Sequence, residues 1–90
     1  MESYKIIISG RVQGVFYRRF AKINADRFGI KGYVKNLHDG SVEVICEGDK
    51  KRMGLFLSEL KKGPPHSDVE KLDIKEIKEK TYFESFEVRY

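Results

Sequence analysis

The sequence predicts an α+β domain with the element order β-α-β-β-α-β, in which two helices cover one face of an antiparallel sheet and a short C-terminal strand follows. Apolar residues alternate in some segments and recur at helical spacing in others, and turn-forming residues separate these segments. Two helices on one face of such a sheet would bury the apolar stripe of each. Because 90 residues suffice for one hydrophobic core, we expect a single domain over residues 1–90.

The first two elements are a strand and a helix joined by a glycine-containing loop. Alternate positions of the strand are apolar, namely Tyr4, Ile6 and Ile8. From Phe16 onward the spacing becomes helical, and the predicted buried face of the helix is formed by Phe16, Phe20 and Ile23, with Phe28 at its edge. Gly29 then supplies a helix stop.

A hairpin and a second helix follow. Strands are predicted over residues 32–37 and 41–47, and the pair Asp39-Gly40 between them is a strong turn signal. Asp49 is a competent N-cap for the second helix. The apolar stripe of this helix has i, i+3, i+4 and i+7 spacing and consists of Met53, Phe56, Leu57 and Leu60. Residues 63–65, Gly-Pro-Pro, end the helix.

The last third of the chain is less regular. The apolar residues between 69 and 77 keep no single parity, so this segment fits either a bulged edge strand or a poor helix. We predict a strand, because Ile and Val are interleaved with charged residues and no helix stop is present. Alternation of Phe86, Val88 and Tyr90 predicts a short final strand.

Composition limits the classes of partner. Charged residues make up 36% and apolar residues 40% of the chain, which is typical of a soluble, folded protein. The net charge of +4 permits an anionic partner such as nucleic acid. However, lysines and glutamates are mixed, above all over residues 70–80, which favours a solvated face and no nucleic-acid partner.

The chain carries no signal for export or for a membrane. No apolar stretch is long enough to cross a bilayer, and Glu2 and Lys5 interrupt the N-terminus before a signal-peptide core could form. Cys46 is the only cysteine, so no intramolecular disulfide can form. We therefore expect a cytoplasmic protein without a membrane partner, and a monomer.

The loop after the first strand is the strongest candidate for an anion site. The run from Gly10 to Arg18 reads GRVQGVFYR and leads directly into the first helix. Backbone amides at such a loop can converge on one point, where the helix N-terminus adds positive potential. Arg18 could add a guanidinium fork suited to phosphate. On spacing alone, an ordinary turn with a solvated arginine remains an equal alternative.

Few other residues suggest chemistry. His38 and His66 lack partners at metal-ligand spacing, so no metal site is predicted. Cys46 falls within a strand and has no nucleophile arrangement around it. The loop also lacks the Gly-Lys-Ser/Thr ending of a nucleotide-binding P-loop. Asn36, near the end of the strand that follows the first helix, is the leading polar candidate beside Arg18.

Three segments together resemble the acylphosphatase family: residues 10–18, residues 32–36 (GYVKN) and residues 39–42 (DGSV). The resemblance continues through Glu47-Gly48 and residues 63–65, so it covers nearly the whole chain. It implies a ferredoxin-like α/β sandwich that hydrolyses the carboxyl–phosphate bond of small acyl phosphates without a cofactor. By resemblance, Arg18 binds the substrate phosphate and Asn36 positions the attacking water.

The resemblance also implies that loop amides hold the phosphate oxygens; these belong to Gly14, Val15, Phe16, Tyr17 and Arg18. Inorganic phosphate or sulfate would then compete with the substrate. The leaving carboxylate has a conjugate acid of pKa about 4, so it can depart without a general acid. Phosphoryl transfer with a loose transition state needs charge stabilisation and alignment more than covalent help. Asparagine is a weak base, so a phosphate oxygen of the substrate is the hypothesised proton acceptor.

The chain departs from common family members at two positions. Phe16 stands where many have glycine, and Tyr17 stands where phenylalanine is usual. We expect Phe16 to pack beneath the loop. Arg19 lies about 100° around the helix from Arg18 and should project elsewhere, while Arg11 could brace the loop or stay solvated.

Two alternatives come from other functional classes. RNA-recognition domains share this element order, but they stack bases on aromatic residues of the central strands, and residues 42–45 contain none. A regulatory domain could also keep the anion site without catalysis. Among substrates, acetyl phosphate, carbamoyl phosphate and 1,3-bisphosphoglycerate are all compatible, because recognition concentrates on the phosphate.

Overall fold

The computed structural model describes residues 1–78 and 82–90, and the predicted order of strands and helices is confirmed. The elements are β1 (Glu2–Arg11), α1 (Tyr17–Phe28), β2 (Lys31–Asn36), β3 (Val42–Gly48), α2 (Lys50–Lys62), β4 (Asp68–Glu76) and β5 (Phe86–Arg89). The predicted bounds of both hairpin strands agree with the observed bounds of β2 and β3 to within one residue at each end. Residues 70–78 are mostly exposed, as predicted for the charged run, whereas residues 79 and 80 of that run lie outside the described residues.

The five strands form one sheet in the order β4-β1-β3-β2-β5. The sheet was predicted to be antiparallel but is mixed, because the C-terminal strand β5 pairs in parallel with β2. The register gives the physical reason. β4 finishes opposite Tyr4, near the start of β1, and β2 begins opposite Glu47 at this same end of the sheet. β5 also begins at this end, where Phe86 pairs with Gly32, so it runs in the same direction as β2.

One apolar cluster lies between the sheet and the two helices. The sheet contributes fully buried residues from its three central strands, Ile6, Ile8, Val34, Val42, Val44 and Cys46. Their partners on α2 are the predicted Met53, Phe56 and Leu60. Burial of a side chain such as Phe56 contributes about 1.5–3 kcal/mol. Asp49 caps α2 as predicted, since its side chain accepts a hydrogen bond from the Arg52 amide (2.9 Å), and Gly63 ends the helix.

The predicted buried face of α1 was wrong in two positions. Phe16 is 78% exposed and Ile23 is 56% exposed, whereas the buried residues of α1 are Tyr17, Ala21, Asn24 and Ala25. Periodicity failed here because Phe16 is not a helical residue. It is the N-cap and has left-handed backbone angles (φ 64°, ψ 27°), so the helical repeat starts at Tyr17 and continues through the alanines. Phe28 packs against the core as expected, and Gly29 is the C-cap.

β4 is an edge strand whose pairing with β1 is irregular, which confirms the strand prediction for this segment. The register shifts between Ser9 and Gly10. Gly10 has φ 119°, and a Cβ atom there would collide with the carbonyl oxygen of Asp68. Only glycine fits such a backbone and such a close approach. The irregular pairing of β1 with β4 therefore lies near the end of β1, shortly before the loop that leads into α1.

The β2–β3 hairpin follows the predicted Asp-Gly turn. The Leu37 amide donates to the Ser41 carbonyl oxygen (2.9 Å), and the Asp39 carboxylate accepts from the Ser41 amide (3.0 Å). Hydrogen bonds from the Ser41 hydroxyl and amide lower the pKa of Asp39. The turn thereby fixes the end of β2. Of the helices in the described residues, neither has the length and apolar character needed to cross a membrane.

Candidate active site

A cleft of about 480 Å³ opens where the β1–α1 loop, the end of β2 and the end of β5 meet. It is lined by Val12, Gly14, Phe16, Tyr17, Arg18, Arg19, Lys22, Asn36, Val88 and Tyr90. The structure thus brings together the two residues singled out for catalysis, Arg18 and Asn36, although 18 positions of sequence separate them. Of the five predicted phosphate-holding residues, only Val15 does not line the cleft, and its side chain packs in the core.

The loop reaches the helix through two residues with positive φ, Gly14 (φ 74°) and Phe16 (φ 64°). The Phe16 carbonyl oxygen accepts a hydrogen bond from the Phe20 amide (3.0 Å), which begins α1. No side chain among the described residues caps α1, and its first turn contains no acidic residue. Orphan amides and the positive end of the helix dipole are consequently available to an external anion. The second helix differs, because Asp49 occupies that position.

The Arg18 side chain is fixed at the cleft by the end of β5. One terminal guanidinium nitrogen donates to the Arg89 carbonyl oxygen (2.9 Å), and the guanidinium carbon lies 4.4 Å from the centre of the Tyr90 ring. A guanidinium group has five N–H donors, so this contact leaves others for a ligand. The Arg18 side chain is therefore not freely solvated, in contrast to the alternative that the sequence left open.

Interactions on the uncovered side of the sheet hold β5 against β2. The Arg89 guanidinium lies 4.0 Å from the centre of the Tyr33 ring, and the Tyr33 hydroxyl donates to the Glu43 carboxylate (2.7 Å). Burial, aided by Glu43, raises the pKa of Tyr33 to about 12. A cation–π contact at a partly exposed site contributes about 0.5–1 kcal/mol. It stabilises the strand whose last carbonyl orients Arg18.

Gln13 connects the loop to the hairpin that carries Asn36. Its side-chain nitrogen donates to the carbonyl oxygens of Leu37 and Ser41, at 2.8 Å each. Leu37 follows Asn36 directly, so these bonds set the separation between the loop and Asn36. This role of Gln13 was not predicted from the sequence. The only sequence feature that could have indicated it is the position of Gln13, whose side chain has two N–H donors, between two glycines of the loop.

Comparison with known proteins identifies the family of this chain. The family model described as Acylphosphatase matches residues 4–88. The chain belongs to the acylphosphatase family. It is 40% identical over 90 residues to an acylphosphatase from Bacillus licheniformis, with all of both chains covered. It is also 44% identical to an acylphosphatase from Archaeoglobus fulgidus, again with all of both chains covered.

A solved structure gives the same answer for the fold. The crystal structure of acylphosphatase from Bacillus subtilis superposes with a TM-score of 0.96 at 37% identity, and all of both chains is covered. The predicted family, the predicted acylphosphatase enzyme and the predicted ferredoxin-like α+β fold are thereby confirmed.

Tyr17, one of the two departures from common family members, acts in the core. Its side chain is 2% exposed, and its hydroxyl donates to the Leu60 carbonyl oxygen near the end of α2. Burial raises the pKa of this hydroxyl. The side chain therefore joins the first residue of α1 to α2.

The prediction for the other departure, Phe16, was wrong, and so was the prediction for Arg19. Phe16 does not pack beneath the loop but lines the cleft with its ring exposed. Its left-handed backbone turns the side chain outward, away from the core. Arg19 does not project elsewhere, because the cleft extends around the first turn of α1 and includes both Arg19 and Lys22. No aspartate or glutamate lines the cleft.

No group of three or more histidine, cysteine, aspartate or glutamate side chains within residues 1–78 and 82–90 is arranged to hold a metal ion. His38 and His66 are both exposed and lie on different loops. Cys46 is buried, and burial raises the pKa of its thiol to about 12. A thiol of that pKa is protonated at neutral pH and is a poor nucleophile.

Proposed function

We propose that the chain, as one domain over residues 1–90, hydrolyses the carboxyl–phosphate bond of small acyl phosphates to a carboxylate and orthophosphate. Membership of the acylphosphatase family supports the activity. The observation that carries the residue roles is the meeting of Arg18, Asn36 and the uncapped N-terminus of α1 in one cleft. These three parts supply charge, alignment and amide donors, which are what this reaction requires.

The phosphate is held by backbone and guanidinium donors. Amides from Gly14 to Arg18 bind its non-bridging oxygens, and Arg18 adds a charged fork. The contact of Arg18 with the Arg89 carbonyl oxygen orients the fork before substrate arrives. Such preorganised donors stabilise the charge of the transition state without reorganisation during the reaction.

The water is aligned by Asn36. Its side-chain oxygen accepts a hydrogen bond from the water, while its amide group donates to the substrate or to the same water. The water oxygen forms a bond to phosphorus as the bond from phosphorus to the acyl oxygen breaks. The electron pair of that bond leaves with the carboxylate, and a phosphate oxygen of the substrate takes the proton of the water. No general acid is needed, since the leaving group has a conjugate acid of pKa about 4.

The test is a continuous assay of the purified protein with benzoyl phosphate, run beside p-nitrophenyl phosphate. We expect cleavage of the mixed anhydride alone. Replacing Arg18→Ala should lower kcat/KM by about 10²–10³ or more, the usual cost of one preorganised donor. Arg18→Lys keeps the charge but loses the fork, so it should also bind phosphate more weakly. Near-normal turnover by Arg18→Ala would refute the role of Arg18.

Asn36→Ala separates binding from alignment. Turnover should fall while inorganic phosphate still competes with the substrate, because Arg18 and the amides remain. If phosphate ceased to compete in this variant, Asn36 would be a binding residue. Sulfate should compete like phosphate. We also propose that the active species is a cytoplasmic monomer, for which size-exclusion chromatography at assay concentration tests the oligomeric state.

A further inference from the structure

We propose that the cleft also contains an acyl subsite, formed by Phe16, Arg19 and Lys22, which favours acyl phosphates that carry a second anionic group on the acyl chain. This inference rests on the proposed acyl phosphate hydrolysis and names the class of substrate that the site prefers.

The size of the cleft is the first argument. Its volume of about 480 Å³ lies within the range of about 300–1,000 Å³ found for pockets that hold small organic molecules. A phosphate group occupies only the part next to the loop amides, Arg18 and Asn36. The remaining space is bounded by side chains that the phosphate site does not use, and these include Phe16, Arg19 and Lys22.

The sign of the charge is the second argument. Arg18, Arg19 and Lys22 all line the cleft and no aspartate or glutamate does, so the side chains that line it carry three positive charges and no negative one. Arg18 and the amides already match the phosphate. Lys22 is partly neutralised, because its ammonium lies 3.1 Å from the Asp26 carboxylate. Within the described part of the chain, no ion pair engages Arg19. Arg19 is therefore the principal cation in excess.

The conformation of Phe16 is the third argument. A residue other than glycine rarely adopts φ 64°, and here it places a large apolar ring in solvent at the cleft. Glycine would adopt this backbone without strain. Strained residues of this kind concentrate at sites that clamp a ligand. A ring at the cleft wall would cover the apolar methylene groups of an acyl chain.

The direction of the reaction is the fourth argument. In-line displacement requires the attacking water and the leaving oxygen to lie on opposite sides of the phosphorus atom. Asn36, which aligns the water, is at the end of β2. The acyl group consequently extends away from β2, and Phe16, Arg19 and Lys22 belong to the wall formed by α1 and its N-cap.

Succinyl phosphate and butyryl phosphate form a matched pair that tests the inference. Both have a four-carbon acyl chain, and the terminal carboxylate of the first replaces the methyl group of the second. We expect a KM about two- to fivefold lower for succinyl phosphate, the factor typical of an exposed ion pair. Added salt should reduce this difference, because it screens exposed charges.

Arg19→Gln should bring the ratio of the two KM values towards one. Arg27→Gln is the matched control, because Arg27 is an exposed cation on the same helix but does not line the cleft. An equal loss of the preference for succinyl phosphate in both variants would indicate a general effect of the positive charge of the protein and would overturn the subsite. An unchanged ratio in Arg19→Gln would overturn it as well.

Phe16→Gly tests the apolar part without straining the backbone. We expect the ratio of the KM for butyryl phosphate to the KM for acetyl phosphate to rise by about two- to fourfold, because the longer chain loses its apolar contact. An unchanged ratio would remove Phe16 from the subsite. If the wild-type protein hydrolysed none of these acyl phosphates, the proposed function itself would fail. Equal KM values with normal hydrolysis would instead reject only the subsite.

Discussion

Gln13 offers the sharpest test of how the candidate site is assembled. Its side chain donates two hydrogen bonds of 2.8 Å to the hairpin, one on each side of the turn that follows Asn36. Methionine has a similar length and no donor, so Gln13→Met removes both bonds. The two carbonyl oxygens then keep only their backbone donors, the amides of Gly40 and Leu37. We expect the β1–α1 loop and Asn36 to lose their fixed separation, which makes Gln13 a positioning residue.

The magnitudes follow from the two bonds. Each net hydrogen bond contributes about 0.5–1.5 kcal/mol, so stability should fall by about 1–3 kcal/mol. For a domain of this length, that loss lowers Tm by roughly 4–24 °C. A misplacement on the order of 1 Å at a reacting centre can cost about 10² in rate, so kcat should fall by about 10- to 100-fold. Inhibition by inorganic phosphate should change by less than about twofold, because Arg18 and the loop amides are retained.

The assay measures kcat, KM and phosphate inhibition with benzoyl phosphate, well below the Tm of the variant. Ser67→Ala is a control for stability loss alone. It removes the hydrogen bond that the Ser67 hydroxyl donates to the Pro64 carbonyl oxygen (2.7 Å), away from the cleft. If both variants lowered kcat equally, the effect of Gln13 would be general destabilisation. A double variant with Asn36→Ala completes the test. Gln13→Met should cost little further kcat there, and fully multiplicative effects would refute action through Asn36.

Three further predictions concern stability. Tyr17→Phe should lower the free energy of unfolding by about 0.5–1.5 kcal/mol, because the Leu60 carbonyl oxygen loses its donor; urea denaturation measures this. Gly10→Ala should cost more than about 1 kcal/mol, since its Cβ would strike the Asp68 carbonyl oxygen at a positive φ; an unchanged Tm would contradict this. Burial raises the Cys46 pKa from an ordinary 9 to about 12, so its stabilising contribution is complete below pH 9 and is lost as pH rises towards 12. A urea midpoint that fell equally in Cys46→Ala over this range would exclude that thiol as the cause.

The parts of the fold that local sequence determines were predictable. The stripe of Met53, Phe56 and Leu60 and the Asp49 cap define α2 within 13 residues, and no distant contact is needed to read them. The Asp-Gly turn likewise fixes the hairpin locally. The conformation of Phe16, in contrast, was not predictable from the local sequence pattern. Its apolar side chain continues the helical spacing, but its positive φ removes it from the helix and turns its ring to solvent.

The contacts that complete the candidate site are long-range, and periodicity carries no information about them. Arg18 contacts the carbonyl oxygen of Arg89, 71 positions later. Gln13 contacts residues 24 and 28 positions away. The parallel pairing of β5 with β2 depends on which end of the sheet the chain reaches after β4. The sequence pattern made Arg18 and Asn36 candidates and the resemblance to a family assigned their roles, but the contacts that support them became visible only in three dimensions.

These supports explain why so few polar groups can suffice for the proposed reaction. The leaving group needs no acid, so the protein has to hold one phosphate and one water at a fixed separation. In the proposed mechanism, Arg18, which is oriented by β5, binds the phosphate, and Asn36, whose strand is connected to the loop by Gln13, aligns the water. β5 pairs directly with β2, and β2 ends at Asn36, so in this mechanism the sheet sets the distance between phosphate and water. Catalysis should therefore be more sensitive to the pairing of β2 with its two neighbours than to most changes elsewhere on the surface.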